Sequence, residues 1–168
     1  EVRFLANRDN HLHFGLLTDL GDALQEVMPK DEHLLSMARQ GIEALNKKYH
    51  ASIFFLIPRQ RSRDPKEEIW RGYERKRGIL GELNSLLRGG SENSFSLIAG
   101  DVSILPGIKY VITVDEDTRM PYDSARRLVE TLAHPLNRPR FDEHKRYITE
   151  GYSILHPRLS SGMPEADR

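Results

Sequence analysis

Asp115 and Asp117 stand one residue apart, after the apolar run Tyr110-Val111-Ile112-Thr113-Val114 and before Thr118-Arg119. Two carboxylates at that spacing, at the carboxyl edge of a buried strand that starts to turn, can share one divalent cation. A hard, oxygen-ligated cation is what a diphosphate leaving group needs, so the pattern points to phosphate chemistry. It also falls where α/β folds gather ligands, outside the carboxyl ends of their strands. Glu116 adds a third carboxylate, but neighbouring residues of an extended chain point to opposite faces, which can aim it away from the other two.

Taken alone, an Asp-x-Asp after a hydrophobic strand supports three readings. It is a solvated turn, since Asp is favoured in turns for its local hydrogen bonds. It is the nucleophile segment of a haloacid-dehalogenase-type phosphatase, in which the first Asp attacks phosphorus. Or it belongs to a glycosyltransferase acting on a nucleotide sugar, where the pair holds a metal on the donor diphosphate. The phosphatase fares worst on order. Its nucleophilic strand normally opens the domain, and it needs a downstream Lys and a second acidic pair at another strand end. After Asp117 the only Lys is Lys145, and Asp142-Glu143 follows no apolar strand.

Other candidate groups have both a functional and a structural reading. Asp19 and Asp22 follow an early strand and could accept from a base imide or a ribose hydroxyl, yet both are also turn formers. The run Arg75-Lys76-Arg77 could neutralise a diphosphate, or form a solvated helix face with Glu74 and Glu82 as partners. His11 and His13 share one face of an extended segment but have no further ligands clustered beside them. His134, His144 and His156 read as surface or packing residues. Trp70 and Tyr73 could stack on a sugar or base, with core packing the simpler role.

Composition bounds the class. A chain of 168 residues that is 38% hydrophobic suits one globular domain with its own core. Lys and Arg number 25 against 25 Asp and Glu, so net charge gives no pull toward nucleic acid or anionic lipid. The absence of cysteine excludes a disulfide framework and a thiolate metal site, and fits a reducing compartment. No apolar run approaches the roughly 20 residues that span a bilayer, and no signal peptide is visible. The chain opens on Glu1 and stops in Met163-Pro164-Glu165-Ala166-Asp167-Arg168, so residues 1–168 read as a single partial domain cut from something longer.

Alternating strand and helix patterns must position these groups, and they predict an α/β fold with a mostly parallel sheet flanked by helices. A strand is expected over His13–Thr18, then a helix from about 32 to 49 with Asp31 as N-cap and Leu34, Leu35, Ala38, Ile42, Leu45 and Tyr49 on its buried face. Ser52–Ile57 reads as a buried strand closed by Pro58 and a basic turn, Arg59-Gln60-Arg61-Ser62-Arg63. A long helix pattern follows from about Pro65 to Leu87, with Ile69, Tyr73, Leu80, Leu83 and Leu87 as its apolar face. A break is expected near Gly78 and Gly81, and an end at Gly89-Gly90. Phe95–Ala99 suits a short edge strand and Ile108–Val114 the central one. Pro121 suits the first turn of a helix carrying Ala125, Leu128, Val129 and Leu132, and a last strand is expected within Arg146–Leu155.

Three stretches, Leu16-Leu17-Thr18-Asp19, Lys76-Arg77-Gly78-Ile79-Leu80-Gly81-Glu82-Leu83-Asn84 and Thr113-Val114-Asp115-Glu116-Asp117, resemble the glycosyltransferase-A fold of inverting enzymes such as cellulose and chitin synthases. Three more narrow the resemblance. Trp70-Arg71-Gly72-Tyr73-Glu74-Arg75-Lys76-Arg77-Gly78, Ala133-His134-Pro135-Leu136-Asn137-Arg138-Pro139 and Glu150-Gly151-Tyr152-Ser153-Ile154-Leu155-His156-Pro157-Arg158 are similar to the glycosyltransferase region of cyclic β-1,2-glucan synthases, over about Phe4 to Leu159.

The resemblance implies a Rossmann-like nucleotide-sugar fold lacking its first strand, UDP-glucose as donor and a β-1,2-glucan as acceptor. It further implies Mg²⁺ or Mn²⁺ as cofactor, and a membrane-anchored parent whose domain faces the cytoplasm at the bacterial inner membrane. Asp117 is then the direct metal ligand, and Asp115 contacts ribose, sugar or the metal through water. Asp19 recognises the base, while Lys76, Arg77 and Asn84 approach the donor. These groups are expected to converge on one cleft. The family often has a small residue where Glu116 stands, and its catalytic base and acceptor-clamping motif are expected beyond Arg168. Turnover by the piece alone is therefore not expected. The competing expectation is a non-catalytic nucleotide-binding or interaction module, since a fold alone confers no activity.

Overall fold

β1 (Phe14–Asp19) and β2 (Phe54–Arg59) run parallel, in register from Phe14 opposite Phe54 to Asp19 opposite Arg59. A computed structural model describes residues 1–90, 95 and 99–158. Within it the chain forms two compact units, one of Glu1–Phe4 and Arg8–Thr113, the other of Leu5–Asn7 and the chain from Val114 onward.

The first unit is organised by β2, every residue of which is buried. Its side chains alternate between two cores, as the two-residue period of a strand dictates. Phe54 and Leu56 join Ile42 of α2 (Pro29–Tyr49), with Phe4, Phe14, Ala38, Leu45 and Tyr49 packed around them. Phe55 and Ile57 join Ile79 and Leu86 of α3 (Arg75–Leu87), together with Phe95 and Leu105. Burying a side chain of this size contributes about 1.5–3 kcal/mol, enough to carry the strand through Pro58 despite its missing N–H. The strand therefore lies at 54–59, two residues beyond the expected 52–57. Bridges from Leu56 to Ala99 and from Arg59 to Phe95 extend the pair antiparallel on the far side of β2, where an edge strand was expected; residues 96–98 lie outside the described set.

α2 starts earlier than its apolar pattern suggests. Met28 is the N-cap and Asp31 sits in the first turn, reaching back so that the Met28 N–H donates to its Oδ2 at 2.7 Å. Of the expected buried face, Ile42, Ala38, Leu45 and Tyr49 pack inward, while Leu34 is 52% exposed. The region 65–87 departs further. A small antiparallel hairpin of β3 (Ser62–Arg63) and β4 (Trp70–Arg71) replaces the start of the expected helix, and α3 begins only at Arg75. The helix then runs through Gly78 and Gly81 without a break and ends at Gly89-Gly90 as expected, with Gly89 at φ 81°. Ile79 and Leu86 are its buried residues; Leu80, Leu83 and Leu87 flank them, and Tyr73 lies outside the helix, 66% exposed.

The expected central strand at 108–114 is not one. A 3-10 turn, Val102–Gly107, precedes it, and 108–114 pairs with no strand among the described residues. Among the described residues the named strands form one parallel pair and two antiparallel hairpins, besides isolated bridges. The α/β class holds, with a mixed rather than mostly parallel sheet content.

In the second unit, α4 (Ser124–Ala133) begins three residues after Pro121. Its N-cap, Asp123, has φ 59° and does not cap with its own side chain. The buried Asn7 does so instead, its Oδ1 accepting from the Ala125 N–H at 2.9 Å. A 3-10 turn, Pro135–Asn137, leads into a hairpin of β5 (Arg140–Asp142) and β6 (Tyr147–Glu150), shorter than the strand expected over 146–155. No helix among the described residues is long and apolar enough to cross a membrane.

Candidate functional site

Asp19 ends β1 directly opposite Arg59, the last residue of β2. The Arg59 side chain is 2% exposed, and its guanidinium donates to both Asp19 oxygens, Nε to Oδ1 at 2.6 Å and Nη2 to Oδ2 at 2.8 Å. A guanidinium this deeply buried needs most of its donors satisfied. Nη1 bonds the Tyr73 carbonyl at 2.8 Å and approaches Glu82 Oε1 at 3.5 Å, while Nη2 also bonds the Arg75 carbonyl at 2.9 Å. Arg59 thus ties a strand end to the turn that launches α3. The expected basic turn at 59–63 is corrected accordingly: Arg59 and Arg61 are core residues, with only the residues around them exposed.

That turn is strained. Glu74 and Arg75 both lie in the left-handed region, at φ 49° and 45°, a conformation that costs a non-glycine residue about 1–3 kcal/mol. The carbonyls of Tyr73 and Arg75, both accepting from Arg59, hold it in place. Its outcome is the position of the Arg75 guanidinium, which meets Asp22 Oδ2 at 3.0 Å. Asp19, Leu20, Gly21, Asp22, Gly72 and Arg75 line an open cavity of about 460 Å³. Beside Asp22, the backbones of Ala23 and Trp70 pair at 2.8 and 2.9 Å in the two directions.

Of the sequence-derived candidates in this unit, Asp19 lines the cavity but already spends both oxygens on Arg59. Lys76 and Arg77 follow on the first turn of α3 and are exposed; Arg77 stands 3.5 Å from Glu74. Asn84 is exposed seven residues further on, which places it on the same helix face as Arg77. The unit therefore brings Asp19 and the amino end of α3 together, with Lys76 and Arg77 leading onto the exposed helix face.

Asp115 and Asp117 belong to the second unit. They lie in a β-turn closed by the Thr118 N–H donating to the Asp115 carbonyl at 3.1 Å, and both are exposed, as is Glu116. The expected turn is present without the expected strand before it. Among the described residues no group of three or more His, Asp or Glu side chains is placed to hold a metal. Two exposed carboxylates nevertheless suit Mg²⁺ or Mn²⁺, which take hard oxygen donors and are commonly held by one or two carboxylates with substrate phosphates completing the shell.

The remaining stretches that resemble glucan synthases pack on one another. The Tyr152 N–H donates to the Asn137 carbonyl at 2.9 Å. Gly151, at φ 73°, lies so close to the Arg138 carbonyl that a side chain there would overlap it, and a Cβ would stand 2.8 Å from the Asn137 carbonyl. The glycine at 151 thus serves a tight backbone crossing. Sequence reasoning missed Arg59, Gly72 and the β3–β4 hairpin. The available signal was Arg59-Gln60-Arg61 directly after a buried strand, where residues two apart share a face.

No protein-family model matches the chain. Cyclic beta-(1,2)-glucan synthase NdvB of Rhizobium meliloti (strain 1021) is 39% identical to it over 166 residues. The match takes in 97% of this chain and 6% of that protein, so the chain spans a small part of the length of its curated relative. Similarity at that level along nearly the whole chain establishes that the two are related.

Proposed function

We propose that this chain is a piece of the glycosyltransferase region of a cyclic β-1,2-glucan synthase, of the inverting glycosyltransferase-A type, with UDP-glucose as its donor. The observation that carries the reading is the similarity to the glucan synthase NdvB over 97% of the chain. The acidic turn and the cavity beside Asp19 give it chemical content. In the reaction, a glucan 2-hydroxyl deprotonated by a base outside this chain attacks the anomeric carbon of glucose from the face opposite UDP. The C1–O bond to the diphosphate breaks and the anomeric centre inverts. Asp117 would hold Mg²⁺ or Mn²⁺, with Asp115 on the ribose, the sugar or a metal-bound water. When bound, that cation stabilises negative charge on the departing diphosphate.

Asp19, fixed by Arg59, accepts from the base, and Lys76, Arg77 and Asn84 approach the donor along one end and face of α3. The parent protein is anchored in the bacterial inner membrane with this region in the cytoplasm, where the donor is found, and the growing β-1,2-glucan is its acceptor. A first strand supplied by the longer protein completes the donor pocket.

Titration of UDP-glucose with Mn²⁺ against this chain and against a version extended at both ends tests the reading. Affinity gained on extension supports it. Absence of UDP-glucose binding and turnover in the full-length protein overturns it in favour of a non-catalytic module.

A further inference from the structure

We infer that Arg59 is the positioning residue of the donor site, setting Asp19 and the Tyr73–Arg75 turn in the geometry that receives the nucleotide; this rests on the reading of that site as a UDP-glucose pocket. One buried guanidinium reaches two residues that line the cavity, Asp19 and Arg75, and a third group on α3. It holds both oxygens of Asp19 at the end of β1, two carbonyls of the left-handed turn and, at 3.5 Å, Glu82 two turns into α3. Both oxygens of Asp19 are engaged by Arg59, and the turn has no glycine at Glu74 or Arg75 to relax its backbone.

The two glycines of the Trp70–Gly78 stretch follow from the same guanidinium. A Cβ at Gly72 would overlap Arg59 Nη2 and stand 2.9 Å from Asp19 Oδ1. At Gly78 it would overlap the Tyr73 carbonyl and stand 2.7 Å from Arg59 Nη1. The side chain of Arg59 cannot swing away, because its four bonds to Asp19, Tyr73 and Arg75 would be lost in a buried site. Gly72 therefore leaves room for the guanidinium, and Gly78 chiefly for the Tyr73 carbonyl that the guanidinium bonds. Glu82 Oε2 is buried and without a hydrogen-bond partner among the described residues, and the one guanidinium meets two carboxylates, Asp19 and Glu82.

A role of this kind separates from plain stability because it acts on donor affinity. In the full-length protein, Arg59→Lys keeps the charge but loses the planar fork. Gly72→Ala keeps both charged groups and displaces them. Both are expected to raise the KM for UDP-glucose about tenfold or more while kcat stays within about threefold. In the wild-type protein, UDP is expected to slow amide exchange across residues 72–77, and Arg59→Lys to abolish that protection. An unchanged KM in folded variants, or a fall in kcat alone, overturns the positioning role. So does UDP binding to the wild type without protection at residues 72–77, in which case the donor reading survives. A wild type that neither binds UDP nor uses UDP-glucose removes the donor reading and the positioning role together.

Discussion

Arg61 and Asp31 form an ion pair whose side chains are 2% and 3% exposed, and it joins the start of α2 to the segment just after β2. Both Nη atoms of Arg61 meet the carboxylate, Nη2 at 3.0 Å from Oδ1, while Nε donates to the Gly21 carbonyl at 2.6 Å and Nη1 to that of Glu26 at 3.0 Å. Breaking such a pair strands a buried charge, which typically costs about 3–5 kcal/mol, more than a well-packed apolar replacement would. Arg61→Ala should therefore lower the unfolding free energy of the first unit by about that amount. The double change Arg61→Met with Asp31→Leu should cost clearly less than the single one. Trp70, the one tryptophan of the chain, sits in the same unit and reports the transition by its fluorescence in urea.

Acid should weaken the same unit in a defined direction. Hydrogen bonding from Arg61, helped by the Met28 N–H and opposed by burial, holds the Asp31 carboxyl below its ordinary value of 3.8. A folded pKa below the unfolded one means that the unfolded chain takes up the proton first. The stabilisation from Asp31 is complete above the ordinary Asp range and drains away as pH falls through that range to the depressed folded pKa. Urea midpoints read from Trp70 should be flat near neutrality and fall below that range. Asp31→Asn should start lower and lose that part of the acid dependence. A variant with the wild-type slope would remove Asp31 from the account.

Asn46 offers a test that involves no charge. Its Oδ1 accepts from the Ile53 and Phe54 N–H groups at 3.1 and 3.0 Å, and its Nδ2 donates to the Phe54 carbonyl at 2.9 Å. These three bonds lace the last turns of α2 to the entry of β2. Each buried donor left unpaired costs about 1–3 kcal/mol, so Asn46→Ala should destabilise the unit by about 2–4 kcal/mol. The same unfolding assay read from Trp70 measures the loss, and an unchanged midpoint would remove Asn46 from the account.

Much of the first unit is legible because its elements follow local periods. The run Phe54–Ile57 has strand composition, and α2 repeats its apolar residues at helical spacing, as α4 does in the second unit. What local reading misses are partners far along the chain. Arg59 and Arg61 look like a solvated turn because their acceptors lie elsewhere in the sequence, Asp19 at 40 residues and Asp31 at 30. Ile69 and Tyr73 fit a helical stripe by coincidence of spacing, whereas Trp70 is held in a two-residue strand by Arg63 and in a bridge by Ala23. Strands that short carry no period to detect.

The segment 110–114 fails for the complementary reason. Tyr110-Val111-Ile112-Thr113-Val114 has the β-branched composition of a strand, and burial alternates along it, with Ile112 and Val114 half-buried between exposed neighbours. Composition gives the tendency only. A strand is completed by the backbone groups of a neighbour, and none among the described residues pairs there. The acidic turn that follows is more easily read, because Asp favours turns through local hydrogen bonds.

That turn supports a graded prediction for the proposed metal role. Asp115 and Asp117 are both exposed, and the Thr118 N–H to Asp115 carbonyl bond fixes the turn through the backbone. Replacing either carboxylate by its amide should therefore leave the fold intact while removing a charged oxygen donor. In the full-length protein, Asp117→Asn should lower kcat for glucosyl transfer by about a hundredfold and raise the half-saturating Mn²⁺ concentration by about tenfold or more. Asp115→Asn should have a smaller effect on the Mn²⁺ requirement, because its contact is to the sugar, the ribose or a metal-bound water. Initial rates over a matrix of UDP-glucose and Mn²⁺ separate the two effects, with circular dichroism as the folding control. Equal Mn²⁺ dependence in Asp117→Asn and wild type would exclude Asp117 as a ligand, and a larger shift for Asp115→Asn would exchange the two roles.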